Sequence, residues 1–208
     1  NIEMDLLDSG RFDPAFHTWK RLFSESFIVD DSAEHWRVLL GVKKRGLQAG
    51  RLFGFGGKVE SSDASVQAAA EREVEEECGL SDVQLVQVGL VYVQFPTQFM
   101  EIHVFRGSLS EQQPAVGGVA VETEEMRPEW FNADEIPWER ALPDSKLWYP
   151  LAWTGEPFVA QFVLDGEDQV LWHHLQHVDK AVLATAAAAG TVSPAYSTDC
   201  IAANEAAA

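Results

Sequence analysis

The chain has 208 residues, with 33 acidic side chains against 15 basic ones and a formal net charge of −18. Such a balance excludes a binder of long nucleic acid, which needs Lys and Arg to displace counterions, but not a single nucleotide held through a metal and a few local cations. Hydrophobic residues reach 46%, enough for a sizeable core in one domain with extensions, and no apolar run is long enough for a membrane span.

The opening residues Asn1–Asp8 are acidic and carry no signal-peptide core. Residues 1–21 read as an N-terminal extension, where Phe12, Phe16, Trp19 and Phe23 suggest a short amphipathic helix. Leu22–Val29 is a predicted strand, Asp30-Asp31-Ser32 a turn and Trp36–Val42 a second strand, together a hairpin. The one dense basic cluster, Lys43-Lys44-Arg45-Gly46, follows. Its closeness to a glycine-rich loop favours attraction of phosphate over a nuclear-import role. Leu47–Phe55 leads into that loop, and a helix is predicted over Ala64–Cys78.

Val83–Phe95 reads as extended chain broken at Gly89 and ended by Pro96, and Phe99–Arg106 alternates as a strand. Ser108–Val121, rich in Gly, Pro and Gln, is expected to be a mobile loop. Arg127–Phe131 is a short strand, Asp134–Pro137 one helical turn, and Lys146–Trp153 a helix as far as Pro150. Phe158–Leu164 and Gln169–Leu175 make a closing hairpin about Asp165-Gly166. Residues 179–208 are Ala-rich with no face to bury, and a disordered tail is expected there. The domain proper then runs over 22–178. Strands on both sides of a long helix imply an α+β chain or a three-layer α/β/α sandwich with a mixed sheet.

The chemistry gathers between Gly54 and Leu80. Gly54, Gly56 and Gly57 let the backbone turn tightly and approach a ligand, and Lys58 adds a cation at once. On the helix, at 100° per residue, Val66, Ala69 and Ala70 share a face with Glu73, Glu76 and Glu77, while Glu71 and Glu75 point to solvent. The inward stripe is therefore expected to be apolar for two turns and then acidic. Glu73 and Glu77 repel as an i,i+4 pair, and the acids crowd the helix end that disfavours negative charge. Arg72 offsets part of this through its i,i+4 reach to Glu76. Clustered carboxylates call for a hard divalent cation, Mg²⁺ or Mn²⁺, which also grips phosphate oxygens. The plain alternative is a solvated acidic helix; the inward placement and the Gly-Gly-Lys loop argue against it.

Other candidates weigh less. Cys78 and Cys200 lack ligand spacing, so no disulfide is expected and a reducing compartment fits. His103, between Ile102 and Val104, reads as structural. His173 and His174 face opposite ways in a strand, so with His177 they make no metal site. Asp165-Gly166-Glu167-Asp168 is a turn without calcium-loop spacing.

The run Arg72-Glu73-Val74-Glu75-Glu76-Glu77-Cys78-Gly79-Leu80 resembles the second half of the Nudix box, Arg-Glu-aliphatic-x-Glu-Glu-x-Gly-aliphatic. In the first half, the position of the box Glu, six after Gly57, holds Asp63, and eight residues rather than seven separate it from Arg72. Arg37–Gly46, Ala49–Arg51, Gly54–Val59, Ile102–Phe105, Glu125–Phe131, Ile136-Pro137 and Trp148–Pro150 extend the resemblance to the animal MutT-related oxidised purine nucleoside triphosphatases, over about Phe27 to Val178. That resemblance implies the Nudix α/β/α sandwich and Mg²⁺-dependent hydrolysis of nucleotides such as 8-oxo-dGTP and 2-hydroxy-dATP. It implies Glu73, Glu76, Glu77 and Glu125 as metal ligands or proton acceptors, with the Gly57 carbonyl completing the site. Arg72 would orient the glutamates, and Lys43 and Lys58 would lie near phosphate. The base pocket departs from the family. Its Asn falls at Phe53, its Trp at Leu142, one aromatic at Leu47 and its Asp pair at Asp144-Ser145. Asp144 and Ser145 keep hydrogen-bonding capacity, while Phe53, Tyr92 and Trp138 read as stacking partners or as core. The implied partner is a small nucleotide, bound by a monomer in the cytoplasm, with nucleus or mitochondrion as alternative compartments.

Overall fold

The computed structural model describes residues 20–32, 36–109, 119–166 and 169–189. Eight strands form one mixed sheet. They are β1 (Lys20–Asp30), β2 (Arg37–Lys43), β3 (Leu52–Phe53), β4 (Leu85–Gln94), β5 (Phe99–Ser108), β6 (Met126–Asn132), β7 (Phe158–Leu164) and β8 (Val170–His177). The strand order is β3-β2-β1-β5-β4-β7-β8, with β6 also paired to β2. The β1–β5 and β4–β7 pairs are parallel and the others antiparallel. Both expected hairpins form, and β4 carries a register shift beside Gly89, where a Cβ would meet the Phe158 ring at 2.5 Å.

Helix α1 (Val66–Cys78) covers one face and α2 (Ser145–Thr154) the other, which makes the α/β/α sandwich expected from the sequence. Alternation along the strands feeds both layers. Phe27, Val38, Leu40, Val91 and Val104 pack with Trp148, Tyr149 and Trp153 of α2, whereas Ile28, Leu39 and Phe105 pack with Ala70, Val74 and Cys78 of α1.

Several expectations are corrected. Helix α2 does not stop at Pro150 but runs through it to Thr154. Proline forfeits one backbone bond there, and the aromatic cluster that α2 buries offsets the loss, with Phe27 and Tyr149 ring centroids 4.6 Å apart. The helical turn predicted before Pro137 lies after it, as a 3-10 turn over Trp138–Arg140, because a residue preceding proline is pushed out of the helical region. The start of the Ala-rich tail is also ordered. A third helix, α3 (Lys180–Ala189), buries Leu183 against Leu90, Tyr92 and Val159. A single leucine suffices for this, too little for a periodic signal. The predicted N-terminal helix and most of the predicted mobile loop lie outside the described residues.

Candidate active site

Helix α1 begins at Ser65, whose Oγ accepts the Ala68 N–H at 3.1 Å, and ends at Gly79 in the left-handed region, φ 72°. Its buried stripe is Ala69, Ala70, Val74, Glu77 and Cys78. The expected switch from apolar to acidic is therefore partial: Val74 and Cys78 keep the stripe apolar, Glu77 joins it as expected, and Glu73 stands partly exposed at its edge. Glu76, placed with them by the helical wheel, has a side chain 60% exposed. At 100° per residue it stands on the far edge of the acidic flank.

The glycine loop meets that flank. The Gly56 N–H donates to Glu77 Oε2 at 2.8 Å. A Cβ on Gly56 would fall 2.0 Å from the Ser24 carbonyl, so only glycine fits there, and one on Gly57 would fall 2.5 Å from Glu73 Oε1 and displace that carboxylate. The Gly57 carbonyl accepts the Ser24 N–H at 2.9 Å, which leaves one lone pair for any other partner.

Arg72 organises the acids. Its Nε and Nη2 fork onto the two oxygens of Asp63 at 3.0 Å each, and its Nη1 reaches Glu73 at 2.9 Å and Glu76 at 3.1 Å. The extra residue of the box is absorbed in the turn before the helix, where Asp63 Oδ2 also accepts the Glu60 N–H at 2.8 Å. Arg72 holds the Asp63 carboxyl below its ordinary value.

A cavity of about 300 Å³ opens between loop and helix. Lys43, Arg45 and Lys58 line it together with Glu60, Glu73, Glu77 and Glu125, and Gly56 and Gly57 form its floor. The basic cluster is zipped onto the loop carrying Glu125. Arg45 pairs with the Glu125 carboxylate, the Lys44 N–H donates to the Glu125 carbonyl at 2.8 Å, and Lys44 Nζ donates to the Thr123 carbonyl at 2.6 Å.

Burial pushes Glu77 up to about 8; the Gly56 amide opposes this, and the charges of Glu73 and Glu125 add to it. Burial likewise raises Glu73, against the pull of Arg72. Among the described residues no three Asp, Glu, His or Cys side chains converge as an ion would draw them. The donor set nonetheless fits a hard divalent cation. Every donor is oxygen, and Glu77, 6% exposed, faces two further carboxylates.

The residues predicted to contact the base are divided. Phe53 packs with the α1-side cluster, its ring centroid 5.7 Å from Lys43 Nζ. Asp144 and Ser145 are buried at the head of α2, on the opposite face, with Leu142 in the turn before them. Asp144 Oδ2 accepts Trp148 Nε1–H at 3.0 Å, and Ser145 hydrogen-bonds the Tyr149 hydroxyl. Leu47 is 80% exposed. Tyr92 is core, and Trp138 stacks on Trp153 with centroids 6.0 Å apart.

Sequence reasoning did not single out Glu60 or Glu25, and it held Arg45 only as part of the basic cluster. For Glu25 a signal existed: a carboxyl at an inward strand position between Phe23 and Phe27. It now accepts from the Tyr149 hydroxyl at 2.6 Å and from the Gly54 N–H at 2.9 Å.

An α/β/α sandwich with a glycine loop set against an Arg-Glu helix is the arrangement of one family, and residues 26–152 match the NUDIX domain. The chain belongs to the Nudix family. It is 40% identical over 145 residues to the oxidized purine nucleoside triphosphate hydrolases of Danio rerio and of Mus musculus, an alignment covering 69% of this chain and 88% of each relative. Among solved structures, the MutT protein from Bacillus halodurans superposes with a TM-score of 0.59 at 20% identity, over 75% of this chain and 97% of that one, a likeness of fold. No described helix is long and apolar enough to cross a membrane.

Proposed function

We propose that this chain is a divalent-cation-dependent Nudix hydrolase that cleaves purine nucleoside triphosphates to monophosphate and pyrophosphate, with oxidised purines as its substrates. The observation that carries this reading is the single cavity in which Glu73, Glu77 and Glu125 face Lys43, Arg45 and Lys58 across a glycine floor. Glu73, Glu77 and Glu125 would hold Mg²⁺ or Mn²⁺, with Glu76 reaching in from the flank and the Gly57 carbonyl offering its remaining lone pair. When bound, the ion supplies the positive charge that the phosphate oxygens and the leaving pyrophosphate need. The chain's own residues do the rest. Lys43, Lys58 and Arg45 draw the triphosphate in, and the loop glycines let it approach the backbone. Arg72 fixes Glu73 and Glu76 from behind, so these carboxylates present one orientation. Glu77 or Glu125, both on the cavity wall, accepts the proton of the attacking water. The oxidised-purine part of the reading draws on the named activity of the two vertebrate relatives.

A second reading is a Nudix hydrolase acting on another nucleoside diphosphate-linked substrate, such as a dinucleoside polyphosphate, a nucleotide sugar or capped RNA. It is favoured by Phe53, which packs on the α1 side and offers a base no hydrogen bond. Incubation with Mg²⁺ and a panel of oxidised and ordinary nucleotides, followed by product analysis, decides. Monophosphate and pyrophosphate from oxidised purine triphosphates support the first reading. Cleavage confined to the other diphosphates selects the second, and binding without turnover overturns both.

A further inference from the structure

The last turn of α1 leaves carbonyls without a partner inside the helix, and the loop that carries Glu125 supplies partners for two of them. The Val121 N–H donates to the Cys78 carbonyl at 2.9 Å, and the Thr123 hydroxyl donates to the Glu77 carbonyl at 3.2 Å. In the run Val121-Glu122-Thr123-Glu124-Glu125 every residue is exposed except Thr123, which is half-buried. Its hydroxyl also accepts two N–H groups, that of Glu125 at 3.3 Å and that of Met126 at 3.2 Å. A hydroxyl has one proton to give and two lone pairs, so all three are in use. The Met126 carbonyl, 3.4 Å away, is a second acceptor for the same proton.

Glu77 belongs to the helix and Glu125 to the loop, and both line the phosphate cavity. One atom, Thr123 Oγ1, stands between their backbones, bonded to the carbonyl of the first and the N–H of the second. On its other side Glu125 is fixed by the Lys44 N–H, which donates to its carbonyl at 2.8 Å. The backbone of Glu125 is thus held at both of its polar atoms. Its side chain is 55% exposed and meets Arg45 at the surface, so little packing restrains it. The place of the carboxylate is therefore set mainly by the backbone beneath it. Threonine hydroxyls commonly close turns, and the bonds from Glu125 and Met126 alone would do that. The bond across to the Glu77 carbonyl goes beyond what a turn needs.

We propose that Thr123 is a positioning residue for the hydrolysis: its hydroxyl sets the Glu125 carboxylate at a fixed place opposite Glu77 and acts on the reaction through Glu125. This rests on the reading of Glu77 and Glu125 as working groups of the cavity. Two carboxylates that serve one reaction from different elements must keep their separation, and a misplacement of about 1 Å costs up to about 100-fold in rate. Without the hydroxyl the Glu125 N–H loses its acceptor and the Glu77 carbonyl its donor. The Val121–Cys78 and Lys44–Glu125 bonds, which lie to either side, keep the loop in place but no longer lock the two acids to each other.

Thr123→Val keeps the shape of the side chain and removes the hydroxyl, whereas Thr123→Ser keeps the hydroxyl. Turnover of 8-oxo-dGTP at saturating Mg²⁺ is measured for the wild type, both variants, Glu125→Gln and the double variant Thr123→Val/Glu125→Gln. Mn²⁺ binding to the nucleotide-free proteins is measured by electron paramagnetic resonance, with thermal melts to confirm folding. Should Thr123→Val fail to fold, Thr123→Ala takes its place. Thr123→Val should lower kcat about 10-fold with KM changed by less than about 2-fold, and it should weaken Mn²⁺ binding several-fold. Thr123→Ser should recover both to within about 2-fold. Behind Glu125→Gln the same Thr123→Val change should cost nothing further, because the group it positions is gone. An unchanged kcat in Thr123→Val, an equal loss in the Ser and Val variants, or the full loss repeated behind Glu125→Gln overturns the inference, and the hydroxyl then only closes a turn. If the wild type cleaves no 8-oxo-dGTP, the Mn²⁺ titrations decide. Weakening in Thr123→Val, recovery in Thr123→Ser and no further weakening behind Glu125→Gln keep the inference while the proposed reaction falls. Mn²⁺ binding that ignores Thr123 in that case overturns the inference as well.

Discussion

Two buried carboxylates on the same face of the sheet meet opposite fates. Glu101 on β5 is paired with Lys20 and accepts from His103 at 2.9 Å, and Gln87 supports the far side of His103 at 3.1 Å. Burial alone would raise the Glu101 carboxyl; the His103 bond and the Lys20 charge outweigh it and hold it low. Glu77 on α1 has one backbone amide and two repelling carboxylates, and it is pushed up to about 8. One cluster is complete within the protein. The other is left incomplete beside a cavity lined with cations, and an incomplete charged cluster is where binding or catalysis is sought.

The comparison is broken most directly at Glu77. Glu77→Gln should lower kcat with Mg²⁺ by about 100-fold or more, because the residue ranks as both metal ligand and proton acceptor. Its effect on stability should run the other way. The folded value of about 8 lies above the ordinary 4.5, so the folded state holds the extra proton between those limits. Wild-type stability must then fall as pH rises from 4.5 to 8, while Glu77→Gln stays flatter over that window. Melting temperatures measured at pH 5 and 8.5 check the sign. Parallel curves for the two proteins would show that Glu77 is satisfied like Glu101.

Glu101→Ala should show the reverse pattern. It strands Lys20 and His103 in the core, a loss of about 3–5 kcal/mol, or roughly 10 °C in Tm for a chain of this size. The kcat of the molecules that remain folded should be unchanged. A fall in kcat beyond the loss of folded protein would join the two clusters into one functional unit.

Helix α3 sharpens the same contrast. Leu183 packs on Tyr92, whose ring centroid lies 5.9 Å from Lys20 Nζ, so the helix roofs the paired cluster. Leu183→Ala should cost about 2 kcal/mol with activity retained. Thermal melts and turnover on the same samples check this, and an unchanged Tm would detach the helix from the sheet.

What the sequence disclosed follows the range of the interactions involved. Helix α1, its Gly79 cap, both hairpins and the approach of Glu73 and Glu77 to the glycine loop are local in origin. Periodicity and the glycine pattern therefore carry them. Helix α2 persists through Pro150 because Phe27 lies beneath it, and α3 docks because of Leu90 and Tyr92. Those partners are far away in sequence, so local propensity points the wrong way. Glu76 was misplaced because a 100° step fixes a residue's angle but not where the core ends. Glu25 carried a readable signal, an acid at an inward position, but its meaning came only with Tyr149 and Gly54.

The smallest expected effect tests how the incomplete cluster is held open. Among the described residues Arg72 is the cation bonded to Glu73, and it divides its hydrogen bonds among three carboxylates, with Asp63 taking the two-pronged share. Asp63→Asn keeps the shape and removes the charge. Arg72 is 28% exposed, so water makes up part of the loss, and about 1 kcal/mol of positioning energy is at stake. Freed from Asp63, the guanidinium should lean further onto Glu73 and Glu76 and compete with the divalent cation for them. The expected result is a several-fold rise in the Mg²⁺ concentration giving half-maximal rate, with kcat at saturating Mg²⁺ nearly unchanged. A fall in kcat that saturating Mg²⁺ does not recover would mean that Asp63 acts on the reacting groups themselves, and the boundary between the arginine's support and the reactive acids would have to be redrawn.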